Sequence, residues 1–133
     1  MSYSSDVQVK FISDEVAADD DFIVTASRPN TSATIANSSF ASGGARILAV
    51  TTTGTGDNEK TNTIVGTDVF GNALTEVITS TGSAESVSGS KYFLTVTSVT
   101  SSAQFAANLK VGSTALAAEA VHGGRVRLKG YSL

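Results

Sequence analysis

The stretch TNTIVGTDVFGNALTEVIT, residues 61–79, decides the fold because it contains every part of a β-hairpin. Residues 61–67 and 74–79 are rich in Thr, Val and Ile, whose branched side chains fit a pleated surface. The intervening residues 68–72 end in Gly71 and Asn72, which tolerate the positive φ of a tight turn. The sequence therefore predicts two antiparallel strands joined by a short turn.

Further short strands are expected on both sides of this hairpin. Residues 47–50 are apolar on both faces, which is typical of a central strand. Residues 92–100 alternate, with Tyr92, Leu94 and Val96 on one face. The same reasoning predicts strands at residues 7–11, 22–25, 109–111 and 126–128. We expect a largely buried core of Leu48, Val50, Ile64, Leu74, Ile78, Tyr92, Leu94, Val96, Leu109 and Val111.

The connections between these strands are polar. Residues 80–90 are predicted to be a loop, and residues 115–121 are ambiguous, with one or two helical turns as an option. Residues 27–45 form a connection that is long for a compact domain, so we interpret it as a functional loop or an arm. Short, regularly punctuated strands without βαβ spacing predict an antiparallel β-sandwich or jelly-roll-like barrel with little helix. We expect one β domain over residues 1–133, with an extended N-terminal arm at about residues 1–6.

The composition excludes several classes of protein. The chain has no Cys, which rules out disulfides and thiolate chemistry, and its polar surface is made largely of 19 Ser and 17 Thr. We see no secretory signal and no apolar run of the ~20 residues that span a bilayer, so we expect no membrane partner. The net charge of −3 argues against general binding to nucleic acid.

We find no set of residues that predicts catalysis. His122 is the one histidine and is interpreted as a surface residue, and neither a G-x-S-x-G turn nor a phosphate-binding loop occurs. A carboxylate pair remains the one enzymatic option, although the chain has no Trp to form a sugar platform. The candidates by residue type are Asp57, Glu59, Asp68, Glu76 and Glu85. We predict a protein that is not an enzyme, with no catalytic, cofactor-binding or metal site.

The two ends of the chain carry opposite charge. Residues 1–21 hold six acidic residues against Lys10, and residues 110–133 hold four basic residues against Glu119. The acidic run lacks the EF-hand spacing for calcium, so we interpret it as a solvated or partner-facing loop. The basic residues alternate along a strand, where they either protect a sheet edge from aggregation or contact an acidic partner. The predicted partner-binding residues are Asp19, Asp20, Asp21, Arg125, Arg127 and Lys129.

Residues 61–102 resemble a pattern found in small virion proteins of tailed bacteriophages. The pattern is a strand, a T-D-x-x-G-N turn, a Leu-Thr-Glu-x-Ile strand, a Gly/Ser/Thr loop and then K-Y-F-x-T-V-T-S. The matching residues are Thr67, Asp68, Gly71, Asn72, Leu74, Thr75, Glu76, Ile78, Lys91, Tyr92, Phe93, Thr95, Val96, Thr97 and Ser98. The resemblance covers about a third of the chain.

The resemblance implies a virion structural protein assembled in the host cytoplasm. The size is similar to that of head decoration, or cement, proteins, which would hold the major capsid protein or other virion proteins through multivalent contacts, with homo-oligomers expected. A neck, tail or fibre component is the alternative within the particle. A carbohydrate-binding β-sandwich module is the alternative outside it.

Overall fold

Seven strands form two antiparallel sheets in the computed structural model, which describes residues 17–40, 44–82 and 84–118. No helix occurs in these ranges, and the expectation of an all-β antiparallel fold is confirmed. The strands are β1 (Asp19–Ser27), β2 (Ala45–Thr52), β3 (Thr61–Thr67), β4 (Ala73–Thr79), β5 (Ser86–Phe93), β6 (Thr95–Ser101) and β7 (Leu109–Ala118).

The strands are arranged as a sandwich. One sheet has the order β1-β7-β2-β5 and the other has the order β4-β3-β6. Strand β2 pairs with both β5 and β7 and is buried along almost its whole length, so the central strand predicted at residues 47–50 is confirmed. The core is built from apolar side chains of both sheets: Ile23, Val24, Phe40, Leu48, Val50, Ile64, Ile78, Phe93, Val96, Val99, Phe105, Leu109 and Val111.

The hairpin predicted from residues 61–79 is present. Strands β3 and β4 pair without interruption from Thr61↔Thr79 to Thr67↔Ala73. In the turn, the Asp68 carboxylate accepts hydrogen bonds from the backbone N–H of Phe70 at 2.8 Å and of Asn72 at 2.9 Å. These bonds, that of Asn72 first, hold the pKa of Asp68 below its ordinary value. Gly71 supplies the positive φ, 83°, that the turn requires.

Two predicted boundaries are wrong. Residues 80–90 do not form a single loop, because β5 begins at Ser86. Residues 92–100 do not form one strand, because the chain leaves one sheet after Phe93 and enters the other at Thr95. The Leu94 N–H donates to the Thr67 carbonyl at 2.8 Å in this crossing. The crossing resets the alternation, so Phe93 is buried although the pattern placed it on the other face.

Most of the predicted core is correct. Seven of its members are buried: Leu48, Val50, Ile64, Ile78, Val96, Leu109 and Val111. Leu74, Tyr92 and Leu94 are only half-buried, and the latter two flank the crossing between sheets. The prediction missed the buried Ile23 and Phe105. Residues 115–118 continue β7 as strand, so the helical option is wrong there.

Several predictions fall outside the described residues. They are the arm at about residues 1–6, the strands at residues 7–11 and 126–128, the surface position of His122, and the basic residues Arg125, Arg127 and Lys129. Among the described residues, no helix has the length and apolar character that crossing a bilayer requires.

Candidate functional site

The edges of the two sheets define two different sides of the sandwich. Strands β1 and β6 are the edge strands on one side, and β4 and β5 are the edge strands on the other. An edge strand presents unpaired backbone N–H and C=O groups, and these can pair with another chain unless they are covered. We call the side of β1 and β6 the closed side, and the side of β4 and β5 the open side, because the chain covers them differently.

The closed side is covered by residues 31–40, which we call the strap. Along β6, the Ala33 N–H donates to the Val99 carbonyl at 3.0 Å and the Val96 N–H donates to the Ser38 carbonyl at 2.8 Å. Along β1, the Ala36 N–H donates to the Ile23 carbonyl at 2.8 Å. The strap therefore uses its own backbone to bond both edge strands.

Aromatic packing anchors the end of the strap. The Phe40 ring is buried and stacks on the Phe22 ring of β1 with centroids 5.1 Å apart. The Arg46 guanidinium lies 5.9 Å from the centroid of the Phe40 ring, within the range of a cation–π contact. The described part of the long connection predicted at residues 27–45 is thus an integral wall of the sandwich.

On the open side, β4 and β5 are joined by two side chains, each of which bonds the backbone of the opposite strand. The Glu76 carboxylate of β4 accepts hydrogen bonds from the Ser90 N–H at 2.7 Å, the Ser90 hydroxyl at 3.0 Å and the Lys91 N–H at 3.4 Å. In return, the Lys91 ammonium donates to the Thr75 carbonyl of β4 at 2.6 Å. We call this arrangement the clip.

The local backbone of β5 makes the clip possible. Ile47 pairs with Tyr92 and Ala49 pairs with Ser88, so Gly89, Ser90 and Lys91 lie opposite Leu48 alone. This bulge turns two successive N–H groups toward β4, where regular alternation would present one. A side chain at Gly89 would collide with the Glu76 carboxylate, which explains why glycine stands there.

Beyond the clip, both edge strands keep free backbone groups. The Ser80 N–H donates to the Lys60 carbonyl at 2.9 Å, and the alternation of an antiparallel pair then directs the backbone of Val77 and Thr79 away from β3. By the same argument, the Thr52 N–H bond to the Glu85 carbonyl at 3.2 Å directs Ser86 and Ser88 away from β2. These four residues therefore offer unpaired backbone groups.

An open groove of about 300 Å³ separates these two stretches of strand. Its lining combines the apolar side chains of Ile78 and Val87 with the hydroxyl side chains of Thr79 and Ser88. Val77 also lines it and leaves 55% of its surface exposed. The groove is thus a candidate binding surface with an apolar floor and hydrogen-bonding walls.

Asp57, one of the five candidate acids, is held in place by structural contacts. Asp57 is fully buried and accepts hydrogen bonds from the Lys60 ammonium at 2.6 Å and from the N–H groups of Ala106 at 2.7 Å and Ala107 at 3.0 Å. Burial acts to raise the pKa of Asp57, but Lys60 and the two N–H groups outweigh it and lower the pKa below its ordinary value. Asp57 is therefore ionised at neutral pH and is unsuited to donate a proton.

Asp19, Asp20 and Asp21 are the first three residues of strand β1, so the loop predicted for the acidic run is wrong at these positions. One carboxylate oxygen from each lies within 4.8 Å of the others. The hydrogen bond with Asp19 raises the pKa of Asp21, and Lys110 of β7 forms an ion pair with Asp20 at 3.0 Å. Lys110 thus already pairs with this acidic cluster. The three basic residues predicted to bind a partner, Arg125, Arg127 and Lys129, lie outside the residues that the structure describes.

The clip is the functional feature that the pattern of residues did not predict. The sequence pattern places Ser90 in a loop, and it marks Glu76 and Lys91 only through the resemblance and, for Glu76, as a candidate acid. A usable indication was present, because these are the charged residues inside strands otherwise made of hydroxyl and apolar side chains. Comparison with protein-family models, curated proteins and solved structures gives no match to this chain.

Proposed function

We propose that this chain is a non-enzymatic structural protein of a tailed-phage particle. It acts as a head decoration protein that binds the major capsid protein and neighbouring copies through many weak contacts. The resemblance of residues 61–102 to small virion proteins supplies the setting. Multiple attachment on a lattice makes weak individual contacts sufficient, since each bound copy raises the effective concentration for the next contact.

The open side is the observation that carries this proposal. The chain closes β1 and β6 with its own strap but leaves Val77, Thr79, Ser86 and Ser88 with free backbone groups beside a groove of mixed polar and apolar lining. Sheet edges of this kind bind extended segments of other proteins by adding a strand. A sandwich with one side sealed and one side open suits a protein whose activity is attachment.

The residues engaged inside the fold also favour attachment over catalysis. Asp57 and Glu76, the two most buried acidic residues among those described, are held by several donors each. A catalytic acid needs its pKa near the working pH, whereas the environment of Asp57 moves the pKa downward. The proposed mechanism therefore uses backbone hydrogen bonds and packing, with no covalent step.

Electron cryomicroscopy of particles produced from the genome that encodes this chain tests the proposal. We expect regular density for the two-sheet sandwich on the outer surface of the head, with the open side facing a capsid subunit or a neighbouring copy. Density confined to the neck, tail or fibres would favour the alternative virion role. Particles that lack the chain altogether would contradict the proposal.

A binding assay on the same particles tests the surface. Val77→Lys, which places a charge on the free edge of β4, should reduce attachment to particles stripped of this protein by about tenfold. Leu116→Lys is the matched control, because Leu116 is 57% exposed on β7 and Val77 is 55% exposed. Equal attachment of both variants would remove the open side from the proposed function.

A further inference from the structure

We propose that the open side of the sandwich accepts residues 125–129 of a second copy of this chain as an added β-strand, so that copies join head to tail. This inference deepens the proposed contact between neighbouring copies, and it is independent of the phage setting, because the link between copies would form in solution whether or not the chain belongs to a particle.

The acceptor has the hydrogen-bonding pattern that strand addition needs. Val77 and Thr79 on β4, and Ser86 and Ser88 on β5, direct their backbone groups away from their own sheets. The clip closes the edge at Glu76 and Lys91, so the free stretch is short and has a fixed start. A window of about four residues is roughly 13 Å long and matches a strand of four or five residues.

The apolar pattern of residues 125–129 fits the groove. Val126 and Leu128 are two positions apart, so both side chains would lie on the same face of an extended strand. Ile78 and Val87 form the apolar part of the groove, whose volume of about 300 Å³ is small. Two aliphatic side chains are an appropriate filling for a site at the lower limit of ordinary binding pockets, ~300 Å³.

The charges of donor and acceptor are complementary. Residues 125–129 carry Arg125, Arg127 and Lys129 on the face opposite the two apolar side chains. Two exposed acidic residues lie beyond the end of the free stretch that is opposite the clip: Glu59, whose N–H donates to the Ser80 carbonyl at 3.0 Å, and Glu85, which directly precedes β5. The Lys91 ammonium at the clip repels the same cations, which favours docking toward the end with Glu59 and Glu85.

The position of the end of β7 favours a second copy over the same chain. Ala118 pairs with Ala45, whereas the groove is level with Val50, which pairs with Val87. Five residues along the strand and three strand spacings across correspond to roughly 22 Å. From Ala118 to Arg125 the chain takes seven Cα–Cα steps, which reach roughly 23–25 Å when fully extended and leave almost no slack for a turn into the groove. A neighbouring copy meets no such restriction.

Sedimentation equilibrium of the full chain at low ionic strength tests the proposal. We expect concentration-dependent association that added salt weakens. Val77→Lys and the triple change Arg125→Ser, Arg127→Ser and Lys129→Ser should each raise the dissociation constant by about tenfold or more, while Leu116→Lys should leave it unchanged. A synthetic peptide of residues 122–133 should dissociate the assembly, and a scrambled peptide of equal charge should not.

Each contrary outcome identifies a different error. A monomeric wild-type chain would overturn the inference without touching the particle-binding experiment described above. Association that survives the triple change but not Val77→Lys would indicate pairing of two β4 edges. Association lost on changing Asp19, Asp20 and Asp21 to Ser, but kept in Val77→Lys, would place the basic segment on the acidic cluster. Equal effects of the two peptides would reduce the contact to unspecific charge attraction.

Discussion

The closed and open sides of this sandwich both hold edge strands of the two sheets together, but they use different groups to do so. On the closed side, the strap bonds β1 and β6 through backbone groups and anchors the buried Phe40 ring. On the open side, Glu76 and Lys91 bond the backbone of β5 and β4 at one level and leave the rest of the edges free. A protein can therefore leave part of a sheet edge available for binding and still hold its two sheets together, provided that a few side chains fix their separation.

The largest expected effect comes from removing the anchor of the closed side. Phe40→Ala deletes a buried ring that stacks on Phe22, and the free energy of unfolding should fall by about 3–5 kcal/mol, the usual range for a core Phe. Chemical denaturation monitored by circular dichroism measures it. Phe70→Ala is the control, since Phe70 is 67% exposed at the hairpin turn and should change stability little. Similar losses in both variants would contradict the anchoring role.

The ion pair between Asp57 and Lys60 sharpens the comparison because it ties together loops at one end of the sandwich. The pKa of Asp57 is lower in the folded protein than in the unfolded chain, so Asp57 binds a proton in the unfolded chain first as the pH falls. Stability from this group should thus be complete above about pH 4, the ordinary pKa of Asp, and be lost as the pH falls toward the lowered value.

Asp57→Asn tests this assignment. The change removes the charge but keeps the size, and it should cost about 1.5–3 kcal/mol at neutral pH, the value of hydrogen bonds to a charged group. The variant should also lose part of the fall in stability between pH 4 and lower pH that the wild type shows in denaturation curves. A variant with the same acid dependence as the wild type would assign that dependence to other carboxylates.

The clip should matter less than the strap for stability. Glu76→Gln keeps one acceptor oxygen but removes the charge that three donors share, and we expect a loss of about 1–2 kcal/mol. Amide hydrogen exchange should increase at Ser90 and Lys91 and stay unchanged at Val96 and Ala33, whose bonds belong to the closed side. Glu85→Gln, on an exposed side chain, is the control. Uniformly faster exchange would mean that the two sides are not independent.

The smallest expected effect on stability belongs to the free edge itself. Val77→Lys adds a charge to a side chain that is already 55% exposed, so the free energy of unfolding should change by less than about 0.5 kcal/mol. The same variant is expected to impair attachment and self-association. A stability loss as large as that of Glu76→Gln would show that Val77 supports the fold rather than a contact.

The elements that could be predicted from the sequence are those that depend on residues adjacent in the chain. The β3–β4 hairpin follows from strand composition and turn residues, and β2 follows from an apolar run. The crossing at Leu94 could not be predicted, because a strand that changes sheets keeps its alternating appearance while its buried face changes. The strap lacks periodicity because its bonds are made by backbone groups, which any residue other than proline provides.

The candidate site could be predicted even less well than the fold, because its contacts depend on which strands lie side by side. Asp19, Asp20 and Asp21 are adjacent in sequence and remain adjacent in space, but their contact with Lys110 depends on the pairing of β1 with β7. The clip joins Glu76 to Ser90 across two sheets through a bulge, which periodicity does not indicate. The groove exists because β4 and β5 belong to different sheets, a fact of topology rather than of either strand.

The pairing of β1 with β7 sets an order of events during synthesis of the chain. Asp19 pairs with Ser113, so the first described strand waits for about 90 further residues before its partner exists. At a ribosomal rate of roughly 5–20 residues per second, that delay is on the order of ten seconds. The β3–β4 hairpin can form within microseconds once it emerges, whereas the four-stranded sheet closes last. In the interval Ile23 and Val24, which are buried in the folded chain, belong to a strand whose partner β7 has not yet been made.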